Sequence, residues 1–302
     1  MVSFLKKVAK MAPEGSVKYL LHTHLSGFSS GRPLLKVHAS ALTKPEGLCP
    51  RMYALSDVTK AEPPDEYLTA SQFMTFQIGR DQEENIVNWF ADMGRAICHW
   101  KCVGCGTVHE FCSRPVKCKT CGVKAFKPKE VRFESAVSGA SCGIDMLVNL
   151  GQGKLRPIEL KTMDKEEFKA LKAPLAEHRL RTRLYLRIIS EAKEPWGKLV
   201  NQKEANILYV SKGGFGCADD ELAKWGLSEK FSPFKEYKIT RDDSETDALS
   251  DRAKVVKDFR EKKIGMPHGL CPTAMHKRSH GCPMKGACFS GKYPPKHDWT
   301  KG

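Results

Sequence analysis

No apolar run in this 302-residue chain approaches the roughly 18–20 residues that a bilayer-spanning helix needs, so a membrane-embedded protein is not expected. The first residues interrupt their apolar side chains with Lys6, Lys7 and Lys10, unlike a secretion signal, and a cytoplasmic location is the expectation. There is no internal repeat and no phosphate-cradling loop of the P-loop kind, so the chain itself is not expected to hydrolyse ATP; Lys212-Gly-Gly-Phe-Gly is only a weak glycine-rich turn. Acidic residues are in deficit: 35 Asp and Glu stand against 50 Lys and Arg, a formal charge of +15. That balance favours a polyanionic partner, of which nucleic acid is the commonest.

What is present is a globular composition, 41% apolar, with twelve cysteines. A reducing compartment argues for metal or cluster ligation by these thiols rather than for disulfides. Cys102-Val-Gly-Cys105-Gly and Cys118-Lys-Thr-Cys121-Gly form two knuckles that can present four thiolates to one zinc ion, with Cys98, His99, His109 and Cys112 as spare donors nearby. Such a ribbon can be purely structural. Its Lys101, Arg114, Lys117, Lys119 and Lys124 also suit contact with DNA. Cys271, Cys282 and Cys288 close the chain and Cys49 stands far from them; together they could clip the two ends, holding either a [4Fe–4S] cluster or zinc. His276 and His280 leave a second zinc site open. Cys142 and Cys217 read as small buried apolar residues.

The pattern along the chain predicts a flexible segment over 1–32, a short strand over 34–40 and a helix over 48–58. A breaker at Ala61-Glu-Pro-Pro-Asp precedes a long helix from 69 to about 97. Strands follow at 131–137, 144–150 and 155–161. A helix over 175–192, strands at 205–211 and 237–240 and a charged helix near 243–263 complete an α/β core. Phe28, Phe73, Phe76, Trp89 and Trp100 read as core residues rather than a base-stacking platform. The helix over 175–192 sets an apolar face against a basic one bearing Arg179, Arg183 and Arg187, which suits a sugar–phosphate backbone. Glu159 and Lys161 lie two apart on a strand and so share a face; Asp145 on the neighbouring strand can reach the same spot. Two carboxylates beside an ammonium are the parts needed to hold a divalent cation and a water against a phosphodiester.

In this order the motifs resemble the RecB-like branch of the PD-(D/E)XK nucleases, notably the CRISPR-associated RecB-like exonucleases and the AddB nuclease domain. The residues carrying the likeness are Val37-His-Ala-Ser40, Cys49-Pro50-Arg51, Gly143-Ile-Asp145 and Glu159-Leu-Lys161, with one early cysteine and three late ones. The chain departs from the family at Gly79-Arg-Asp-Gln-Glu83, where a histidine is usual, and at Arg181-Thr-Arg-Leu-Tyr185, where a glutamine usually opens the motif. The interval between Cys271 and Cys282 is also long.

The resemblance implies a restriction-endonuclease-like α/β core, a central mixed sheet flanked by helices, built from residues 33–97 and 126–266. An inserted zinc ribbon would occupy 98–125 and a cysteine-rich cluster segment 267–302. It implies Mg²⁺ or Mn²⁺ on Glu83, Asp145, Glu159 and the Leu160 carbonyl, with Lys161 catalytic, zinc on Cys102, Cys105, Cys118 and Cys121, and [4Fe–4S] or zinc on Cys49, Cys271, Cys282 and Cys288. DNA would be contacted by Arg179, Arg181, Arg183, Tyr185 and Arg187. The implied activity is a metal-dependent deoxyribonuclease, foremost an exonuclease acting at DNA ends in recombination, repair or phage DNA metabolism, with recombination or replication proteins as possible partners. An endonuclease of the same chemistry and a non-catalytic zinc or iron–sulfur DNA-binding module are the alternatives.

Overall fold

A computed structural model describes residues 17–26, 28, 34, 36–60 and 67–301. Most of the expected flexible segment and the breaker at 61–65 lie outside the described residues; within 1–32, Val17–Leu25 forms a helix, α1. The expected strand over 34–40 shrinks to β1, Val37–His38, because the chain turns at once into the helical turn α2, Ala39–Leu42. Helix α3, Pro50–Thr59, starts on a proline, which needs no helical acceptor for the amide it lacks. Lys60 ends it in the left-handed region at φ 56°.

Helix α4, Ala70–Asp92, opens on a reciprocal capping box between Thr69 and Gln72. The apolar spacing predicted helix to about 97, but Gly94 (φ +68°) reverses the chain. Ile97 therefore belongs to strand β2, Ala96–Cys102, whose burial alternates strictly. Strands β3 (Val108–Cys112) and β4 (Phe126–Lys129) both pair with β2.

Strands β5 (Val131–Glu134) and β6 (Ala140–Ile144) form a small sheet in the order β1-β6-β5. The main sheet is mixed and seven-stranded. It contains β7 (Met146–Val148), β8 (Arg156–Met163), β9 (Glu204–Ser211) and β12 (Phe234–Thr240) in the order β12-β9-β8-β7-β2-β3, with β4 also on β2. A small hairpin of β10 (Cys217–Ala218) and β11 (Phe231–Ser232) precedes β12. Only β8 and β9 run parallel in the main sheet, so a crossover must join them. It consists of α5 (Lys165–Ala170) and α6 (Ala176–Ser190). Helix α7 (Asp220–Lys224) follows β10, and α8 (Asp247–Arg260) packs on α3.

One core lies between α6 and the small sheet, around Phe133, Ile144, Leu184 and Ile188. A second lies under α4 and joins Ile86 and Val87 to Trp100, Cys118, Phe126 and Leu160. Cys118 thus shares a core with the strand that carries Glu159 and Lys161. Strand β2 pairs with β7 at its start and with β3 and β4 along its length, so the four-cysteine segment joins the main sheet. Trp100 is fully buried as expected, but Phe76 and Trp89 are 52% and 56% exposed on the outer side of α4, and Phe28 is 40% exposed, stacked on Phe73. Their helical spacing exceeded what the sheet beneath α4 could cover.

The C-terminal tail is tied to α3 through the buried Arg51. Its guanidinium donates to the Cys288 sulfur at 3.1 Å and to the carbonyls of Pro267, Cys288 and Tyr293 at 3.1, 3.2 and 2.6 Å. A fork of planar donors is needed to reach all four acceptors, so lysine is no substitute. Arg51→Ala and Arg51→Lys are both expected to lower stability, the former by about 3 kcal/mol, as read by urea denaturation.

Candidate active site

Asp145 sits in the bend where the chain leaves the small sheet after β6 and enters the main sheet at β7. Its Oδ2 accepts a hydrogen bond from the Leu160 amide at 2.8 Å. One residue beyond the Met146–Ile158 pair, Asp145 comes opposite Glu159 and on the same face of the sheet. Glu159 is 4% exposed, and its Oε1 lies 2.6 Å from the Lys161 ammonium. Lys161 also donates to the Leu160 carbonyl at 2.9 Å, the oxygen expected to face a cation. Glu83 approaches from α4, which can lie close to β8 because Gly79, one turn earlier, has no Cβ to press on the Thr162 hydroxyl.

Burial pushes the Asp145 carboxyl well above the usual carboxylate range, and the Glu159 charge adds to this while Lys161 opposes it. Burial likewise raises Glu83, Lys161 opposing and Glu159 reinforcing. Burial disfavours the charged form of Lys161, but Glu159 and then Asp145 outweigh it and raise its pKa. The carboxylates thus converge electrostatically on one ammonium. Tyr185 points into this neighbourhood from α6; its phenol is raised by burial and then by Glu159 and Asp145.

The arginines of α6 stand differently from the free basic ridge expected. Arg181 pairs with Glu177, Arg183 with Asp242 and Glu245, and Arg187 with Glu191 and Asp247, while Tyr185 is buried. Helical periodicity showed a basic face but not that Glu177 and Glu191 of the same segment, together with the distant Asp242, Glu245 and Asp247, neutralise its arginines. Arg179 alone of these four has no ion pair among the described residues.

Two cysteine sets are assembled. The sulfurs of Cys102, Cys105, Cys118 and Cys121 all lie within 4.8 Å of one another, with Cys102–Cys121 at 3.5 Å and Cys105–Cys118 at 3.6 Å. Among the described residues no other group of His, Cys, Asp and Glu donors is so tightly gathered. Cys98 and Cys112 stay outside it, paired across β2 and β3. Cys49, Cys271, Cys282 and Cys288 together line one cavity of about 270 Å³. Burial raises both Cys271 and Cys282, and the other cysteines of the set raise them further, but their sulfurs are spread more widely than the first set. His276 instead accepts from the Arg278 amide through Nδ1.

The sequence reading missed His178 and Tyr209. Tyr209 is the β9 partner of Lys161 in the parallel ladder and so shares its face. It is fully buried, its hydroxyl accepts from the Leu175 amide at 3.1 Å, and that hydroxyl lies 2.9 Å from His178 Nδ1. The Tyr209 hydroxyl can both accept and donate, so the direction of its bond to Nδ1 follows the histidine tautomer. Burial, then the charges of Lys161 and Arg181, hold His178 down at about 4. No local motif marks this histidine, because its neighbours arrive from β8 and β9.

No family model matches the chain, and no curated protein matches it. Solved structures similar to it include the alkaline exonuclease LHK-Exo from Laribacter hongkongensis, at 11% identity over 81% of this chain and 93% of that one, with a TM-score of 0.39. LHK-Exo in complex with dAMP is similar at 14% identity over 76% and 89%, with a TM-score of 0.38. A phage-related exonuclease from Haemophilus somnus 129PT is similar at 13% identity over 76% and 95%, also with a TM-score of 0.38. Likeness of this degree leaves the function of the chain to its own residues.

An unfolded histidine titrates near 6.5, whereas folded His178 does so at about 4. Between those values the unfolded state binds more protons, so stability is lost as pH falls through the window. His178→Gln lacks this term. Its melting temperature relative to wild type is expected to improve between pH 7 and pH about 4.5, as followed by circular dichroism.

Proposed function

We propose that the chain is a metal-dependent deoxyribonuclease. The observation that carries this reading is the placing of Asp145 and Glu159 opposite each other on one sheet face, with Lys161 2.6 Å from Glu159, at the junction of two sheets; Glu83 of α4 lies within electrostatic reach of them. Buried acids beside one lysine are costly for stability alone, and their oxygen donors suit a hard divalent cation. Mg²⁺ or Mn²⁺ on Glu83, Asp145 and Glu159 would polarise a phosphodiester and lower the pKa of a bound water. Lys161 offsets phosphate charge and orients the attacking water, while the Leu160 amide fixes the Asp145 carboxylate through Oδ2. His178, held neutral by burial and by the charge of Lys161, adds an uncharged imidazole to the neighbourhood of Lys161. The likeness of the motif order to RecB-like exonucleases favours action at DNA ends, in recombination, repair or phage DNA metabolism.

The tight thiolate set suits one zinc ion in a closed, structural site. The wider set around a single cavity suits a [4Fe–4S] cluster, whose sulfur ligands stand further apart than those of one metal ion, with zinc as the alternative. Both sets would then hold structure rather than perform chemistry.

Incubation with Mg²⁺ or Mn²⁺ and end-labelled linear or closed circular DNA tests the reading. Linear DNA should be degraded from its ends and circular DNA spared. Asp145→Asn and Lys161→Ala are each expected to lower turnover by about a thousandfold or more, with DNA affinity largely kept. Wild-type turnover in either variant refutes the assignment. In metal analysis Cys102→Ser should lose zinc and keep iron, and Cys282→Ser should lose iron and keep zinc. Because Cys118 packs with Trp100 and Leu160, zinc removal should also change tryptophan fluorescence.

A further inference from the structure

Strand β2 carries the catalytic face of the sheet beyond the catalytic residues. Glu159 shares its face with Pro157, which pairs with Leu147, which in turn pairs with Ile97 on β2. Two and four residues on from Ile97, His99 and Lys101 keep that face, and β4 places Lys129 opposite His99 and Lys127 opposite Lys101. The bulge near Cys98 lies in the pairing with β3 and leaves the β2–β4 register unbroken. Lys101, Lys127 and Lys129 therefore line the face that holds Glu159 and Lys161.

All three lysines are exposed, and none has an ion pair among the described residues. Like charges directly opposite each other in a sheet are destabilising, so the Lys101–Lys127 pair works against the fold. The arginines of α6, by contrast, are mostly consumed by carboxylates. The track starts beside the acids, since the Cys98 sulfur lies 3.9 Å from the Asp145 carbonyl. From Cys98 to Cys102 the strand covers about 13 Å, the rise of roughly four base pairs.

We propose that Lys101, Lys127 and Lys129 form a binding track for the phosphate backbone of DNA, running from the catalytic acids onto the four-cysteine arm. This rests on the nuclease reading for its substrate, but the track binds whether or not cleavage follows. The four-cysteine set, with Cys102 and Cys118 buried, then acts as a brace: it holds this end of the sheet rigid where the lysines of β2 and β4 repel.

The test compares Lys101→Gln/Lys127→Gln/Lys129→Gln with a control of equal charge loss, Lys203→Gln/Lys224→Gln/Lys230→Gln. Binding is measured by anisotropy in an Asp145→Asn background, on a duplex of about 30 base pairs, roughly three helical turns. The salt dependence of log K should become shallower by about 2–3 in the track variant, and by much less in the control. With Asp145 intact, KM for the duplex should rise about tenfold at near-constant kcat, while a dinucleotide too short to reach the track is cleaved as by wild type. Zinc content should be unchanged and the melting temperature equal or higher, because a repulsion has been removed. Lys127→Gln alone, if the triple variant misfolds, should give part of the same change in slope. Equal slopes in track and control variants overturn the proposal, even if the wild type cleaves DNA. A track-specific slope in a protein that cleaves no DNA upholds the track and removes the nuclease reading.

Discussion

The structure turns on one ammonium held among acids. Lys161 lies 2.6 Å from Glu159 and also meets the Leu160 carbonyl, with Asp145 and Glu83 adding their fields. Taking several carboxylates out of water is unfavourable unless a positive charge accompanies them. That requirement explains the surrounding architecture. Asp145 needs a junction between two sheets to face Glu159, Glu83 needs a helix brought close by Gly79, and the crossover through α6 sets the buried Tyr185 within the field of both acids. A cation bound by the acids would enter a site in which the negative charge is already concentrated.

The basic excess is unevenly used. Arg181, Arg183 and Arg187 fasten α6 to its own carboxylates and to the segment leading into α8, so their role in the folded chain is internal. Among the described residues the lysines of β2 and β4 have no such partners, and they repel one another. Their placement makes sense when the four-cysteine arm is viewed as part of the main sheet. β2 contributes its first residues to the pairing with β7, beside Asp145, and its last to the four-cysteine set. Rigidity of that single strand links the two regions, and the shared apolar core under α4 reinforces it.

Much of the element pattern was legible in the chain itself. Alternation and helical spacing located β8, β9, α3, α6 and α8 to within a few residues, since each has a face whose burial follows its own period. Boundaries failed where a single residue or a partner strand decides: Gly94 ended α4 early, and Ile97 was claimed by β7. The exposure of Phe76 and Trp89 was illegible for a related reason, as periodicity gives a face but not the width of what covers it. In the candidate site, Asp145, Glu159 and Lys161 could be named from spacing, whereas His178 and Tyr209 could not.

Spacing alone marked the candidate residues: two cysteine knuckles, an acid–x–lysine on a strand, and an arginine-bearing helix. These are local properties, written within a turn or a strand pair. Tertiary structure decided what each charge faces. It paired Arg183 and Arg187 with acids distant in sequence, joined the cysteine arm to the main sheet, and set Tyr209 and His178 beside Lys161. Electrostatic partners and burial depend on contacts between segments far apart along the chain, and no local pattern encodes them.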